Sequence, residues 1–166
     1  MLFRSPFLVP FEIARELFDY YRQGAAEVGR SVTPDNLGFL ICAVTAETKA
    51  KALEAGRHFV WRMGPTLRAP TEFFAPVGMR SRAGVQFALR ARPRSLATMS
   101  YQELLDGQFI VAGTPDEVID RFAHVQRELG IGHLLLEAQE SRLDHPTTMR
   151  SIELMGAKVI PAVAAL

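Results

Sequence analysis

The sequence predicts an α/β domain built around a short parallel sheet. Two observations carry that reading. The first is a strand apolar on both faces, Leu37–Thr45 (LGFLICAVT), a pattern that belongs to a sheet covered on both sides rather than to a solvated hairpin. The second is the alternation of such apolar runs with strongly capped helices, the signature of βα units. A complete (β/α)₈ barrel needs about 250 residues, so a chain of 166 is expected to form a small open sheet or part of a larger barrel.

The elements follow in order. Met1–Ser5 reads as a strand stub punctuated by Pro6 and Pro10. Phe11–Val28 is periodic, with Ile13, Leu17, Tyr20 or Tyr21, and Val28 as its apolar stripe and Gly29 as its stop. After a turn at Ser31–Asn36 comes the strand Leu37–Thr45. Thr45 is expected to cap a helix running to about Met63. Residues 64–99 form a Pro- and Arg-rich insertion, too long for a plain connection. Ser100-Tyr-Gln-Glu103 is a small capping box, and Gln108–Ala112 a short apolar segment. Thr114-Pro-Asp-Glu117 opens a helix with an N-cap, proline at the first turn and a completing glutamate; it stops at Gly130. Gly132–Glu137 is a second buried strand. A last helix opens at Pro146, reaches about Met155, and is expected to end before Pro161. Three parallel strands are expected, near 1–4, 37–45 and 131–137, each followed by a helix on one side of the sheet. The whole chain reads as one domain.

Composition excludes several functions. The chain is 48% hydrophobic and 22% charged, with net charge +1, which argues against disorder and against a globally basic nucleic-acid binder. A single cysteine, Cys42, rules out a disulfide framework and a thiolate zinc cluster, and the four histidines lack ligand spacing. No metal site is expected. No apolar run approaches the ~20 residues of a membrane span, and charges interrupt any signal-like start. A cytoplasmic protein is the expectation, with neither membrane nor nucleic acid as partner.

The charge is unevenly spread. Arg57, Arg62, Arg68, Arg80, Arg82, Arg90, Arg92 and Arg94 face one acid, Glu72, giving this stretch net +7 and the remainder −6. Arginine forks suit phosphate and carboxylate, so Arg80, Ser81 and Arg82 are candidates for cofactor binding, against the plainer reading of a solvated loop docked on acidic surface. Barrel enzymes carry their chemistry at the C-terminal ends of strands. That rule selects Arg4 and Glu137 as candidate catalytic residues, with Gln139 beside Glu137; His133, Leu135 and Glu137 share one strand face. Trp61, Phe73, Phe74 and Met79 are candidates for an apolar substrate pocket, or else core beneath the insertion.

Four segments carry a family resemblance. GTPDEVIDRFAHVQRELGIGHLLLE (Gly113–Glu137) resembles the penultimate helix and last strand of the bacterial-luciferase-like flavin monooxygenases. NLGFLICAVTAETKAKALEAGRHFVWRMG (Asn36–Gly64) looks like the strand and helix that begin their last quarter. TLRAPTEFFAPVGMRSR (Thr66–Arg82) is similar to their aromatic-rich insertion, and TTMRSIELMGAKVIPAV (Thr147–Val163) to their C-terminal helix. The resemblance implies the last three βα units of a TIM barrel. It also implies reduced FMN or F420 as cofactor and, in the FMN members, O₂ activation on a small organic substrate. The alternative is a non-catalytic split-barrel piece acting as a partner subunit. Without the earlier units, the 166-residue chain is expected to bind flavin weakly or not at all. It is also expected to self-associate or pair with a complementary barrel segment, because Phe39, Ile41, Cys42, Leu134 and Leu136 sit on strands left half covered.

Overall fold

The computed structural model describes residues 3–4, 9–63 and 96–165. Within them the chain runs β1 (Phe3–Arg4), α1 (Phe11–Glu27), β2 (Leu37–Thr45), α2 (Lys49–Arg57), α3 (Phe59–Met63), α4 (Tyr101–Asp106), β3 (Ile110–Gly113), α5 (Pro115–Leu129), β4 (His133–Glu137) and α6 (His145–Leu154). A π-helical turn, Met155–Val159, then leads into α7 (Ile160–Ala164).

The three expected parallel strands are present, and all pair in parallel with β2 or contain it. A fourth parallel strand, β3, joins them where the sequence offered only a short apolar segment. Four residues are too few for period-2 alternation to register. The register fixes which edge each strand takes. Gly38 lies opposite both Arg4 and His133, and Cys42 opposite both Ile110 and Glu137. So β4 holds one edge of β2, while β1 and β3 share the other, one beyond the end of the next.

The two faces of β2 feed two cores. Leu37, Phe39, Ile41 and Ala43 pack with Phe11, Ala14 and Phe18 of α1, with Val118, Phe122, Val125 and Leu129 of α5, and with Met155 and Val159 of the π turn. Cys42 and Val44 point the other way, to Phe59, Met63, Leu104, Phe109, Ile110 and Leu143. Apolar cover therefore lies on both sides, not on one as the βα alternation suggested. The stripe of α1 is centred one residue further on: Ala14 and Phe18 are buried, Ile13 and Tyr21 pack half-buried against the same core, and Tyr20 and Val28 are exposed. Both 3.6-residue phases were available, and the bulk of Phe11 and Phe18 selects the buried one.

Phe39, Ile41 and Cys42 are fully buried, contrary to the expectation of half-covered strands. Cover is least complete on β4, where His133 is exposed and Leu134 to Glu137 are half-buried; in β2 and β3 only Leu40 and Ala112 are half-buried.

Helix ends follow their chemistry. The Arg30 backbone N–H donates to the Ala25 carbonyl and that of Gly29, at φ +71°, to the Ala26 carbonyl, closing α1 with the paired bonds of a left-handed cap. The carbonyls of Leu129 and Gly130 at the end of α5 accept from Arg22 of α1 at 2.7 and 3.2 Å, placing a cation on the negative end of that helix. Thr48, not Thr45, caps α2; Thr45 is the buried last residue of β2. The final helix does not stop before Pro161. The π turn absorbs one extra residue, and Pro161 takes a position in the first turn of α7, where its missing N–H costs no bond.

Gly56 marks the tightest approach of α2 to β3. A Cβ there would meet the Tyr101 hydroxyl and, at 2.8 Å, the Cβ of Ala112. Helix propensity alone would gain about 1 kcal/mol from Gly56→Ala, but overpacking costs about 1–3 kcal/mol. Urea unfolding should show the variant net destabilised, and a stabilised variant would contradict the close packing.

Candidate functional site

The C-terminal ends of β2, β3 and β4 converge on one side of the sheet. Thr45 ties the end of β2 to β3 and to α6. Its hydroxyl donates to the Gly113 carbonyl at 2.9 Å, and its N–H donates to Ser151 Oγ on α6 at 3.0 Å. The Ala46 N–H donates to the same Gly113 carbonyl at 3.3 Å. Thr45 is therefore spent on structure and has no hydroxyl hydrogen left for a ligand.

Glu137 ends β4 on the face opposite α1 and α5, because Leu134 and Leu136 take the helix-facing side. The buried Cys42 thiol donates to its Oε2 at 3.9 Å. Arg4 does not join it. Arg4 is level with Gly38 and His133, four residues before the Glu137 level, so the two candidates stand about 13 Å apart along the strands. A two-residue β1 reaches only the lower part of β2, a length the sequence could not give.

Beyond β4 the chain turns back over the sheet. Glu140, not Gln139, is the residue that turns inward: Glu140 is 2% exposed and accepts from Ser141 Oγ at 2.7 Å. The Leu143 N–H donates to the Glu140 carbonyl at 3.0 Å and its side chain enters the core beside Cys42. Arg142 lies over Trp61 of α3, its guanidinium carbon 4.6 Å from the ring centroid. Trp61 thus faces this loop. Arg80, Ser81, Arg82, Phe73, Phe74 and Met79 lie outside the described residues. Glu140 and Arg142 were not singled out from sequence. The only signal was their place just after a buried strand, and nothing local tells a buried loop glutamate from a solvated one.

Two clefts occur among the best formed. One, of about 390 Å³, is a shallow feature on the surface of α1 between Glu12 and Gln23. The other, of about 460 Å³, runs along the outer edge of β3 between Lys49 and Leu53 of α2, Asp106 of α4, and Glu117 and Arg121 of α5. Its carboxylates oppose a phosphate, and it opens away from Glu137. Among the described residues no group of three potential metal ligands gathers, and no helix is long and apolar enough to cross a membrane.

The sequence profile of the luciferase-like monooxygenases matches residues 3–133, and the chain belongs to that family. Solved structures agree on the fold. The monooxygenase RslO1 from Streptomyces bottropensis superposes with a TM-score of 0.61 at 16% identity, over 96% of this chain and 40% of its own. The oxygenating constituent of 3,6-diketocamphane monooxygenase from Pseudomonas putida, solved in complex with FMN, gives 0.59 at 18%, over 94% and 41%. The coenzyme F420-dependent tetrahydromethanopterin reductase from Methanopyrus kandleri gives 0.51 at 20%, over 89% and 41%. The chain thus spans about two fifths of the length of these solved relatives, and its sheet is a partial (β/α)₈ barrel. No curated protein sequence matches.

A flavin or deazaflavin does not find a complete cradle in the described residues. One cleft lies on α1; the other follows the outer edge of β3 up to Gly113 and is lined there by Glu117, and at the strand ends the Thr45 hydroxyl is already committed. What the described residues place beyond the end of β4 is the half-buried Glu137 and the exposed Arg142 over Trp61.

The electrostatics at the top of α5 give a pH signature. Lys49 donates to Glu117 at 2.7 Å, and the Thr114 amide adds a bond, so Glu117 is held below its ordinary value of 4.5. A depressed carboxylate contributes stability that is present above the ordinary value and is lost as pH falls through the depressed one. Glu117→Gln should therefore lower the urea midpoint at pH 7 and bring the two proteins together in acid. A constant difference from pH 7 to pH 3 would show that the charge is not the cause.

Proposed function

We propose that the chain forms the C-terminal portion of the catalytic barrel of a flavin- or deazaflavin-dependent oxidoreductase, a monooxygenase that uses reduced flavin and O₂ on a small organic substrate. The observation that carries this reading is the family match over residues 3–133, which spans β1, β2 and β3 and reaches the first residue of β4. It favours the enzyme over a non-catalytic partner subunit. FMN and F420 both have support, since one solved relative is in complex with FMN and another is F420-dependent. Glu137 is the candidate for contact with substrate, because it ends a barrel strand on the face away from the helix layer. When bound, the flavin supplies the redox chemistry; this chain supplies one wall of the mouth. The cytoplasm is the compartment this reading fits.

The same reading includes association, with a second copy or with a complementary barrel segment. Its support is the half-buried β4, whose outer edge has no partner strand among the described residues, and the exposed Met149, Ile152 and Ile160 on the last helices. Light scattering at micromolar concentration should report a species heavier than one chain; a monodisperse monomer rejects association.

Titration of the purified chain with FMN and with F420, followed by flavin fluorescence, tests the cofactor. A weak response or none is expected from this portion of the barrel, and tight stoichiometric binding would show that these 166 residues build the whole site themselves.

A further inference from the structure

We propose that Arg142, laid on Trp61 beyond the end of β4, is a recognition residue for the carboxylate or phosphate group of a small molecule bound at that mouth. Three described arginines lie over aromatic rings: Arg15 over Phe11, Arg57 over Tyr101 and Arg142 over Trp61. The first two also hold acids, Glu128 at 2.7 Å and Glu54 at 3.7 Å. Among the described residues Arg142 has neither ion pair nor hydrogen bond, so its fork of N–H donors is unspent.

Its own loop offers it no carboxylate. Asp144 caps α6, accepting from the Thr147 N–H at 2.9 Å and from the Thr147 hydroxyl at 2.8 Å. Glu140 is buried on the core side and accepts from Ser141. With Asp144 capping α6 and Glu140 turned into the core, the exposed guanidinium is left for a ligand rather than for the fold.

The side chain is also preorganised. Leu143 is anchored in the core and hydrogen-bonded to Glu140, and Asp144 is fixed by its cap, so the backbone of Arg142 is held just before these two fixed residues. The indole face then holds the guanidinium close, 4.6 Å from the ring centroid. A planar fork held in place loses less freedom on binding than a free one, and it matches two oxygens of one anion. The pair sits past the C-terminal end of a parallel strand, where α/β folds bind ligands. The inference needs an anion at this mouth and does not depend on the flavin assignment.

Trp61 is the only tryptophan, so its emission reports this site alone. Inorganic phosphate and acetate are titrated separately against the 166-residue chain, with calorimetry in parallel. At least one anion should give a saturable response. Arg142→Ala should weaken it about tenfold or more, the usual scale for a charged hydrogen bond. Arg142→Lys should recover only part, since a point charge replaces the fork. Arg127→Ala, on the exposed side of α5, should change nothing. Because Arg142 is exposed, far-UV circular dichroism should show its variants folded. Calorimetry with FMN and riboflavin identifies the source: a preference for FMN that vanishes in Arg142→Ala assigns the anion to a cofactor phosphate, and equal binding with the anion response intact assigns it to a substrate. No saturable response to either anion, or equal affinity in Arg142→Ala, overturns the proposal.

Discussion

Everything described in this molecule is built on β2. Nine residues long and buried on both faces, it is the strand with which β1, β3 and β4 all pair. A strand has only two edges, so three partners can be accommodated only if two share one edge at different heights. That constraint puts β1 low and β3 high, and it leaves β4 alone on the far side. The positions of the candidate residues follow from it. Glu137 reaches the level of Cys42 because β4 pairs along Gly38–Cys42, and Arg4 stays at the lower level because β1 pairs only with Leu37 and Gly38.

The upper ends are tied together by buried polar groups rather than by apolar contact alone. Thr45 has one side-chain donor and one backbone donor, and both are used, one on β3 and one on α6. A buried hydroxyl or amide without a partner costs about 1–3 kcal/mol, so the three elements have little freedom to slide past each other. A rigid rim of this kind is what a recognition residue on the neighbouring loop needs. Arg142 inherits its position from Leu143 in the core and from the cap of α6, and its guanidinium rests over Trp61.

The solved relatives extend well beyond this stretch, and the exposure of β4 fits that relation. Its neighbour β2 is buried on both faces, by α1 and α5 on one and by Phe59, Met63 and Leu143 on the other, whereas in β4 Leu134 and Leu136 pack only half-buried against the first of these cores.

The sequence by itself determined the parallel class of the sheet, because a run such as LGFLICAVT has apolar residues on both faces and cannot face water on either. It also determined the helix ends at Gly29, Ser100, Thr114 and Gly130, because caps are local: the donor, the acceptor and the permissive φ all lie within a few residues. Tertiary structure decided the rest. The phase of α1, the promotion of Ile110–Gly113 to a strand, and the change of Thr45 from helix cap to buried stitch all depend on what packs alongside. Trp61 and Arg142 are 81 positions apart in the chain and meet only because the loop after β4 folds back over α3. Glu140 turns inward for the same reason. Local pattern reports a residue's own backbone preferences, and long-range contact decides which side chains share a site.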